Sequence, residues 1–519
     1  MTAHRATLRA GARAARSAGA KAAPRPQPIR QTAAPHEPLA FAGPFEKEAA
    51  RQLADSQLRL NLARASALIA RKTAAASSEL PDWQQLRRAG SSIRLQALHH
   101  LDEHLLALEA SVAHAGGVVH WARDGEEACA IVTRIVEAHD VREVIKAKSI
   151  TTEEIGLNEA LSAAGISAFE TDLAQLIVQL AKERPSHILV PALHKSAAQI
   201  RDLLIRTLPQ ADQSLSEDPH QLVQLVRAHL RPRLLHTKVA ITGVNFAAAD
   251  TGTLALVESE GNGRMCLTMP EVLICVMGVE KVIPRFQDLE VLLQLLPRSS
   301  TAERMNPYTS LWSGLTDAEG PSEMHLILLD NGRTNVLADE VGRQALACIK
   351  CSACLNVCPV YSRVGGHAYG SVHPGPIGAI LTPMLTGMQG TSSLPYASTL
   401  CGACYQVCPV KIDIPRVLLH LRSVDVEGKR GATGASRLGE RAAMRGTALL
   451  FSHRRAYELS QRLGRLLLRL IPRGRHLRRP ALIARWSTSR DLPVPPHQSF
   501  RDWWQSQSGD QSRQERSRR

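Results

Sequence analysis

Aromatic residues are scarce in this 519-residue chain, at 4%, so its cores must be built mainly from Leu, Ile, Val and Ala. Long apolar runs are missing too: no stretch reaches the roughly 18 consecutive apolar residues that a membrane-crossing helix needs. The first 36 residues carry seven Arg or Lys, no acid and no continuous apolar segment, which excludes a secretory signal peptide. This Arg- and Ala-rich start has the composition of a transit peptide, and equally that of a disordered extension on a cytoplasmic protein. No GxGxxG and no P-loop falls at a strand–helix junction, so no tightly held nicotinamide or nucleotide is indicated. The net charge is +15, and its excess gathers at the two ends. No RNA- or DNA-reading motif accompanies it, so solvated basic tails are expected and no nucleic-acid partner.

The length predicts two or three domains. Residues 1–43 read as a disordered basic extension. Residues 44–115 show Ala, Leu and Ile at helical spacing, with Pro81 and the Gly90–Ser92 stretch expected to break them into two or three helices. Residues 116–333 alternate strand and helix, which predicts an α/β domain with a largely parallel sheet. Within it, "HILVPA" reads as a short buried strand and "EGNG" as a tight hairpin turn. Residues 334–427 are rich in Cys, Gly and Pro and lose long periodicity, as a small domain built around clusters should. Residues 428–519 read as a basic helical region with a disordered tail. The basic helix near Leu450–Leu470 has some character of a membrane-surface helix, but a partner-facing or core-packing helix is the stronger reading.

Ten cysteines are present, and seven of them fall within 61 positions. A tight group in a large chain without a signal peptide points to metal rather than disulfides. The first set is Cys348-x2-Cys351-x2-Cys354-x3-Cys358-Pro359; the second is Cys401-x2-Cys404-x3-Cys408-Pro409. Two-residue gaps let one loop place three thiolates around a single cubane, while the Cys that precedes Pro ligates the other cluster. Two [4Fe–4S] clusters are therefore expected. Cluster one takes Cys348, Cys351, Cys354 and Cys408; cluster two takes Cys358, Cys401 and Cys404. Cluster two is one protein thiolate short. A non-cysteine side chain (His367 and His373 are nearest in sequence), a remote residue or partner subunit, or an iron left open would each complete it. Zinc ribbons also use CxxC pairs, but not three cysteines at two-residue gaps followed by Cys-Pro. Cys129 and Cys275 read as small buried hydrophobes, and Cys266 as the one remote ligand worth testing.

In the α/β part, Lys146 and Lys148 stand at a strand end just before a helix start, where free N–H groups favour an anion. Thr251, Thr253 and Arg264 bracket a strand and are candidates for holding a small carboxylate. His187 and His194 flank the "HILVPA" segment and read as core or rim histidines.

The stretches "KAKSITTEEIGLNEAL", "ETDLAQLIVQLAKERPSHILVPALHK", "DTGTLALVESEGNGR", "CIKCSACLNVCPVY", "GGHAYG", "HPGPIGAILTPML" and "LCGACYQVCPVKIDIP" together resemble the lactate utilization protein B family. That family is the iron–sulfur subunit of a bacterial three-component L-lactate oxidation system. The resemblance spans about Phe45 to Leu421 and weakens at both ends, although "SFRDWW" near the C-terminus is family-like. It implies an α/β LUD domain, similar in fold to ribose-5-phosphate isomerase and CoA-transferase proteins, followed by an α-helical two-[4Fe–4S] ferredoxin-type domain, with helical N- and C-terminal extensions. It implies the same seven cluster cysteines. It also implies two partners, a cysteine-rich-domain subunit and a smaller LUD subunit, which together with this chain oxidise L-lactate to pyruvate. The expected role is an electron-transfer subunit in the cytoplasm, with peripheral membrane association as a variant. The alternative is a CoA-transferase-like or isomerase-like enzyme with a regulatory cluster domain, since "ESEGNG" faintly echoes a CoA-transferase glutamate loop.

Overall fold

The computed structural model describes residues 43–315, 320–428, 435–469, 496 and 498–507. The basic start at residues 1–42 and most of the expected C-terminal tail lie outside these. Residues up to Gly428 form one compact unit and those from Lys429 a second.

The first unit is organised by a six-stranded sheet. Its strands are β1 (Val118–Ala122), β2 (Glu143–Lys146), β3 (Ser167–Glu170), β4 (Val239–Gly243), β7 (Val272–Gly278) and β10 (Glu323–Leu329), in the order β1-β10-β7-β4-β2-β3. Every pairing is parallel. The central strands β4 and β7 are buried along their whole length, because helices cover both faces of the sheet. Period-two alternation then divides β7. Leu273, Cys275 and Met277 pack with helices Leu101–His114 and Pro219–His236. Val272, Ile274 and Val276 pack on the other face with helix Gly125–Ala138. A second sheet, β8-β5-β6-β9, is formed by β5 (Phe246–Ala248), β6 (Leu254–Glu258), β8 (Val282–Ile283) and β9 (Tyr308–Trp312).

The cysteine segment has no core of its own. Leu346, Cys351, Cys358, Tyr361, Ile380 and Leu418 share one apolar cluster with Leu98 of helix Trp83–His99 and with Leu289, Leu292 and Leu295 of helix Asp288–Ser300. The N-terminal helices and the α/β part therefore pack directly against the cysteine loops.

Three local expectations are corrected. Gly90–Ser92 does not break a helix; it lies inside Trp83–His99. Gly90 is small because Leu295 packs on it: a Cβ there would lie 2.3 Å from the Leu295 Cδ1. "HILVPA" is not a strand but a run of bends and turns. The ring nitrogen Nδ1 of His187 accepts the N–H groups of Leu189 and Val190, both at 3.1 Å, removing them from any ladder. "EGNG" is not a hairpin; Gly261, at φ 81°, starts the short helix Asn262–Thr268.

In the second unit, helices Ala435–Ser452 and Arg454–Arg469 follow each other. Leu459, Leu463 and Leu466 form an exposed stripe on the latter. Glu458 pairs with Arg454 and Arg501, each at 2.9 Å. Among the described residues no helix is long and apolar enough to cross a membrane.

Candidate iron–sulfur centre

Backbone strain marks the cysteine loops. Lys350 and Ser352 adopt left-handed φ values of 60° and 63°, Leu400 and Lys411 of 55° and 56°. A non-glycine residue there costs about 1–3 kcal/mol, which persists only where the surroundings impose it. Four of the eight such residues among those described fall in this cassette. The reversals at Lys350 and Ser352 fold Cys351 and Cys354 back toward Cys348. Leu400 and Gly402 (φ 82°) do the same for Cys401 and Cys404.

Backbone N–H groups point at the sulfurs. Lys350 donates to Cys348 Sγ at 3.3 Å, Tyr361 to Cys358 Sγ at 3.5 Å, and Ile412 to Cys408 Sγ at 3.3 Å. Such donors stabilise sulfur charge and tune a cluster's potential. Burial drives Cys351 and Cys354 far above the ordinary thiol range, and neighbouring cysteines push them further. Cys401 is the exposed member; the Ala403 N–H and then the Thr399 hydroxyl lower its pKa.

The thiols sort by which charges they feel. Cys351 is influenced by Cys408 and Cys348, Cys354 by Cys348, Cys351 and Cys408, and Cys408 by Cys348. Cys358 is influenced by Cys401, and Cys404 by Cys358 and Cys401. Cys404 also acts on Cys354, across the two groups. A cavity lined by Cys348, Cys351, Cys354 and Cys408, with Ile188, Ile377 and Ile412, occupies the first group. Among the described residues, no three Cys, His, Asp or Glu side chains converge as ligands of one ion. Thiols arranged around a cavity suit a multi-iron cluster better than tetrahedral zinc.

Two arginines on helix Trp83–His99, two turns apart and so on one face, hold both loops. Arg87 donates to the Cys408 carbonyl at 2.7 and 3.0 Å and to the Tyr405 carbonyl at 3.3 Å. Arg94, 1% exposed, donates to the carbonyls of Leu346, Ala347, Val282 and Glu280. Lys281 is also buried, and its pKa falls to about 8 through desolvation, against the pull of Glu280. Sequence reading missed all three; only their fixed contacts, not their spacing, mark them.

His373 and His367 turn toward the α/β part. His373 Nε2 meets Glu154 at 2.9 Å and His367 Nε2 the Arg184 carbonyl at 2.7 Å. Glu154 also pairs with Arg333, which pairs in turn with Glu280. Burial works against the Glu154 charge, but Arg333 and His373 hold its pKa well below the usual value. Cys266 is buried beside Thr171, and desolvation pushes its pKa up to about 12. Cys129 and Cys275 are buried as expected.

The carboxylate-site candidates separate. Lys146 is fully buried between Glu153 (2.9 Å) and Glu170 (2.7 Å). Desolvation opposes its charge, and these carboxylates outweigh it. Lys148 keeps a quarter of its side chain exposed and bonds Asp172 at 3.1 Å and the Leu189 carbonyl at 2.8 Å. Glu260 and Glu258 also act on it. Arg264 is near this end, its N–H donating to Glu258 at 2.7 Å. Thr251 and Thr253 are at the other end of β6, where their hydroxyls bond each other at 2.8 Å and that of Thr253 also bonds Ser313 at 2.8 Å. Asp172 and Glu260 are the members that the sequence reading did not single out. Asp172 was visible as the side-chain cap of helix Leu173–Ala181.

Fold and site together define an α/β protein whose parallel-sheet part packs on a cysteine-rich iron–sulfur module. The LUD domain family matches residues 106–329 and the 4Fe-4S dicluster domain residues 344–412. The C-terminal family of lactate utilisation protein B matches residues 421–508. The protein named lactate utilization protein B from Bacillus cytotoxicus is 40% identical over 432 residues, 83% of this chain and 90% of its own. Its namesake from Shouchella clausii is 39% identical over 476 residues, 89% of this chain and 97% of its own. The chain belongs to the lactate utilization protein B family. A solved DUF162 family protein from Deinococcus radiodurans aligns at a TM-score of 0.24 and 14% identity, over 46% of this chain and 98% of its own; at that score it carries no weight for the fold.

Proposed function

We propose that this chain is the iron–sulfur electron-transfer subunit of a multi-component system that oxidises L-lactate to pyruvate. The names of its relatives support lactate utilization, and the dicluster match supports the cofactor. The observation that carries the reading is geometric: Cys348, Cys351 and Cys354 of the first loop line one cavity together with Cys408 of the second, which supports the crossed arrangement.

Cluster one would be held by Cys348, Cys351, Cys354 and Cys408, and cluster two by Cys358, Cys401 and Cys404. Clusters bound there supply reversible one-electron chemistry, which matches a substrate that gives up two electrons and two protons. The chain's own residues prepare that site. Arg94 and Lys281 place cationic charge near Cys348, and Arg87 near Cys408, favouring added negative charge. The strained loops fix the thiols before loading. Lys148 and Arg264 are proposed to hold a small carboxylate. Lys148 grips the Leu189 carbonyl next to Ile188, which lines the first cavity, so such a carboxylate would bind close to cluster one. The partners of the reading are a cysteine-rich-domain subunit and a smaller LUD subunit, and the domain limits 44–115, 116–333, 334–427 and 428–519 belong to it.

The test is growth on L-lactate of a strain lacking this protein, complemented with wild type or Cys354→Ser. The reading expects growth only with wild type. Normal growth with Cys354→Ser would remove the electron-transfer role.

A further inference from the structure

The two cysteine loops repeat one local structure, fifty positions apart. Cys351-Ser352-Ala353-Cys354 answers Cys401-Gly402-Ala403-Cys404, and Val357-Cys358-Pro359-Val360 answers Val407-Cys408-Pro409-Val410. The backbone follows the same register. Lys350 and Leu400 are both left-handed, at 60° and 55°, and so are Ser352 and Gly402, at 63° and 82°. Each second left-handed residue precedes a short helix, Ala353–Asn356 and Ala403–Val407.

In this register the partner of Cys348 is Ser398. Cys348 Sγ accepts the N–H of Lys350 at 3.3 Å. Ser398 Oγ accepts the equivalent N–H, that of Leu400, at 3.1 Å. The Ser398 backbone is fixed by Arg422, which donates to its carbonyl at 3.3 Å. The residue in the position of the absent eighth thiolate therefore carries a hydroxyl oxygen that accepts the same backbone bond as its sulfur counterpart.

We propose that Ser398 Oγ is the fourth protein ligand of cluster two. This rests on the cluster assignment under Proposed function and completes it. Ligation by the alkoxide releases the hydroxyl proton to solvent and involves no change in oxidation state. Oxygen is a harder donor than thiolate and a poorer match to iron–sulfur iron. The iron at this corner is therefore held less firmly than the seven on thiolate, and its site exchanges ligands. His367 and His373, engaged with Arg184 and Glu154, are not needed for this role.

The full chain is prepared anaerobically with iron and sulfide as wild type, Ser398→Cys, Ser398→Ala and Thr399→Val. Each is treated with limited ferricyanide, and three-iron clusters are counted by EPR and Mössbauer spectroscopy. Wild type should lose one iron from one cluster. Ser398→Cys should suppress that loss severalfold, and Ser398→Ala should release Fe2+ and hold the reduced three-iron form, counted by Mössbauer spectroscopy, before any oxidant is added. Thr399→Val, which alters the hydroxyl beside Cys401, should resemble wild type. The cluster-one signal serves as the folding control in every variant. Loss of iron that is equal in wild type, Ser398→Cys and Ser398→Ala, or that follows Thr399→Val instead, overturns the assignment while leaving two clusters intact. Wild-type chain without sulfide would instead overturn the cluster reading itself.

Discussion

Replacing Arg94 with Met should loosen both the cysteine loop and its seat on the α/β part. The guanidinium is 1% exposed and bonds four carbonyls, those of Leu346 and Ala347 just before Cys348, and those of Glu280 and Val282. Methionine fills similar volume but donates nothing. Each stranded buried acceptor costs about 1–3 kcal/mol. Against this, desolvation already lowers the Arg94 pKa to about 10, and removing the charge returns about 3 kcal/mol at ~1.4 kcal/mol per unit. The two bonds at 3.2 and 3.4 Å are weaker than the 2.9 Å bond to Val282, which favours the lower part of the range. The net destabilisation is then of order 1–5 kcal/mol. The assay is anaerobic urea unfolding of the iron-loaded chain, followed by far-UV circular dichroism and by the visible absorption of the clusters. Arg94→Met should lower both midpoints together, and Arg94→Lys should recover part of the loss. An unchanged midpoint and full iron content in Arg94→Met would refute the argument that this residue holds the loop.

Further outcomes follow from other buried groups. Arg333→Met leaves Glu154 and Glu280 buried without their shared cation and should cost about 3–5 kcal/mol; adding Glu154→Gln and Glu280→Gln should recover most of it in the same unfolding assay. His187 and His373 are fully buried, and desolvation lowers each pKa from 6.5 to about 4. The unfolded chain therefore binds protons that the folded chain refuses, so stability is full above about pH 6.5 and falls as pH drops toward 4, by up to about 3 kcal/mol per histidine. Measured unfolding that is flat across this window would contradict it. Lys148→Met should weaken small-carboxylate binding about tenfold or more, as expected for loss of a charge-assisted contact, in calorimetry with L-lactate; Thr251→Val, at the far end of β6, should not.

The sequence was most legible where chemistry imposes spacing. Two-residue gaps and Cys-Pro endings announce an iron–sulfur module, and β7 announces itself as an unbroken apolar run because both sheet faces are covered. It was least legible where tertiary packing overrides a local signal. Gly90 looks like a helix breaker but is a packing notch for Leu295. The apolar "HILVPA" looks like a strand but is folded onto the His187 ring. Lys146 and Lys148 look equivalent, two positions apart on one strand end. Burial separates them: Lys146 lies between Glu153 and Glu170, whereas Lys148 faces Asp172 with part of its surface open. Arg87 and Arg94 look like ordinary helix-surface charges, and only the fold reveals that both serve the cysteine loops.

The central claim is that seven thiolates in two interlocked loops hold a pair of cubanes. It is tested most directly by iron and acid-labile sulfide analysis of anaerobically prepared full-length chain, with EPR of the reduced sample. The account predicts about eight iron and eight sulfide per chain, with the two reduced clusters magnetically coupled. Zinc in place of iron, or iron without sulfide, would contradict it.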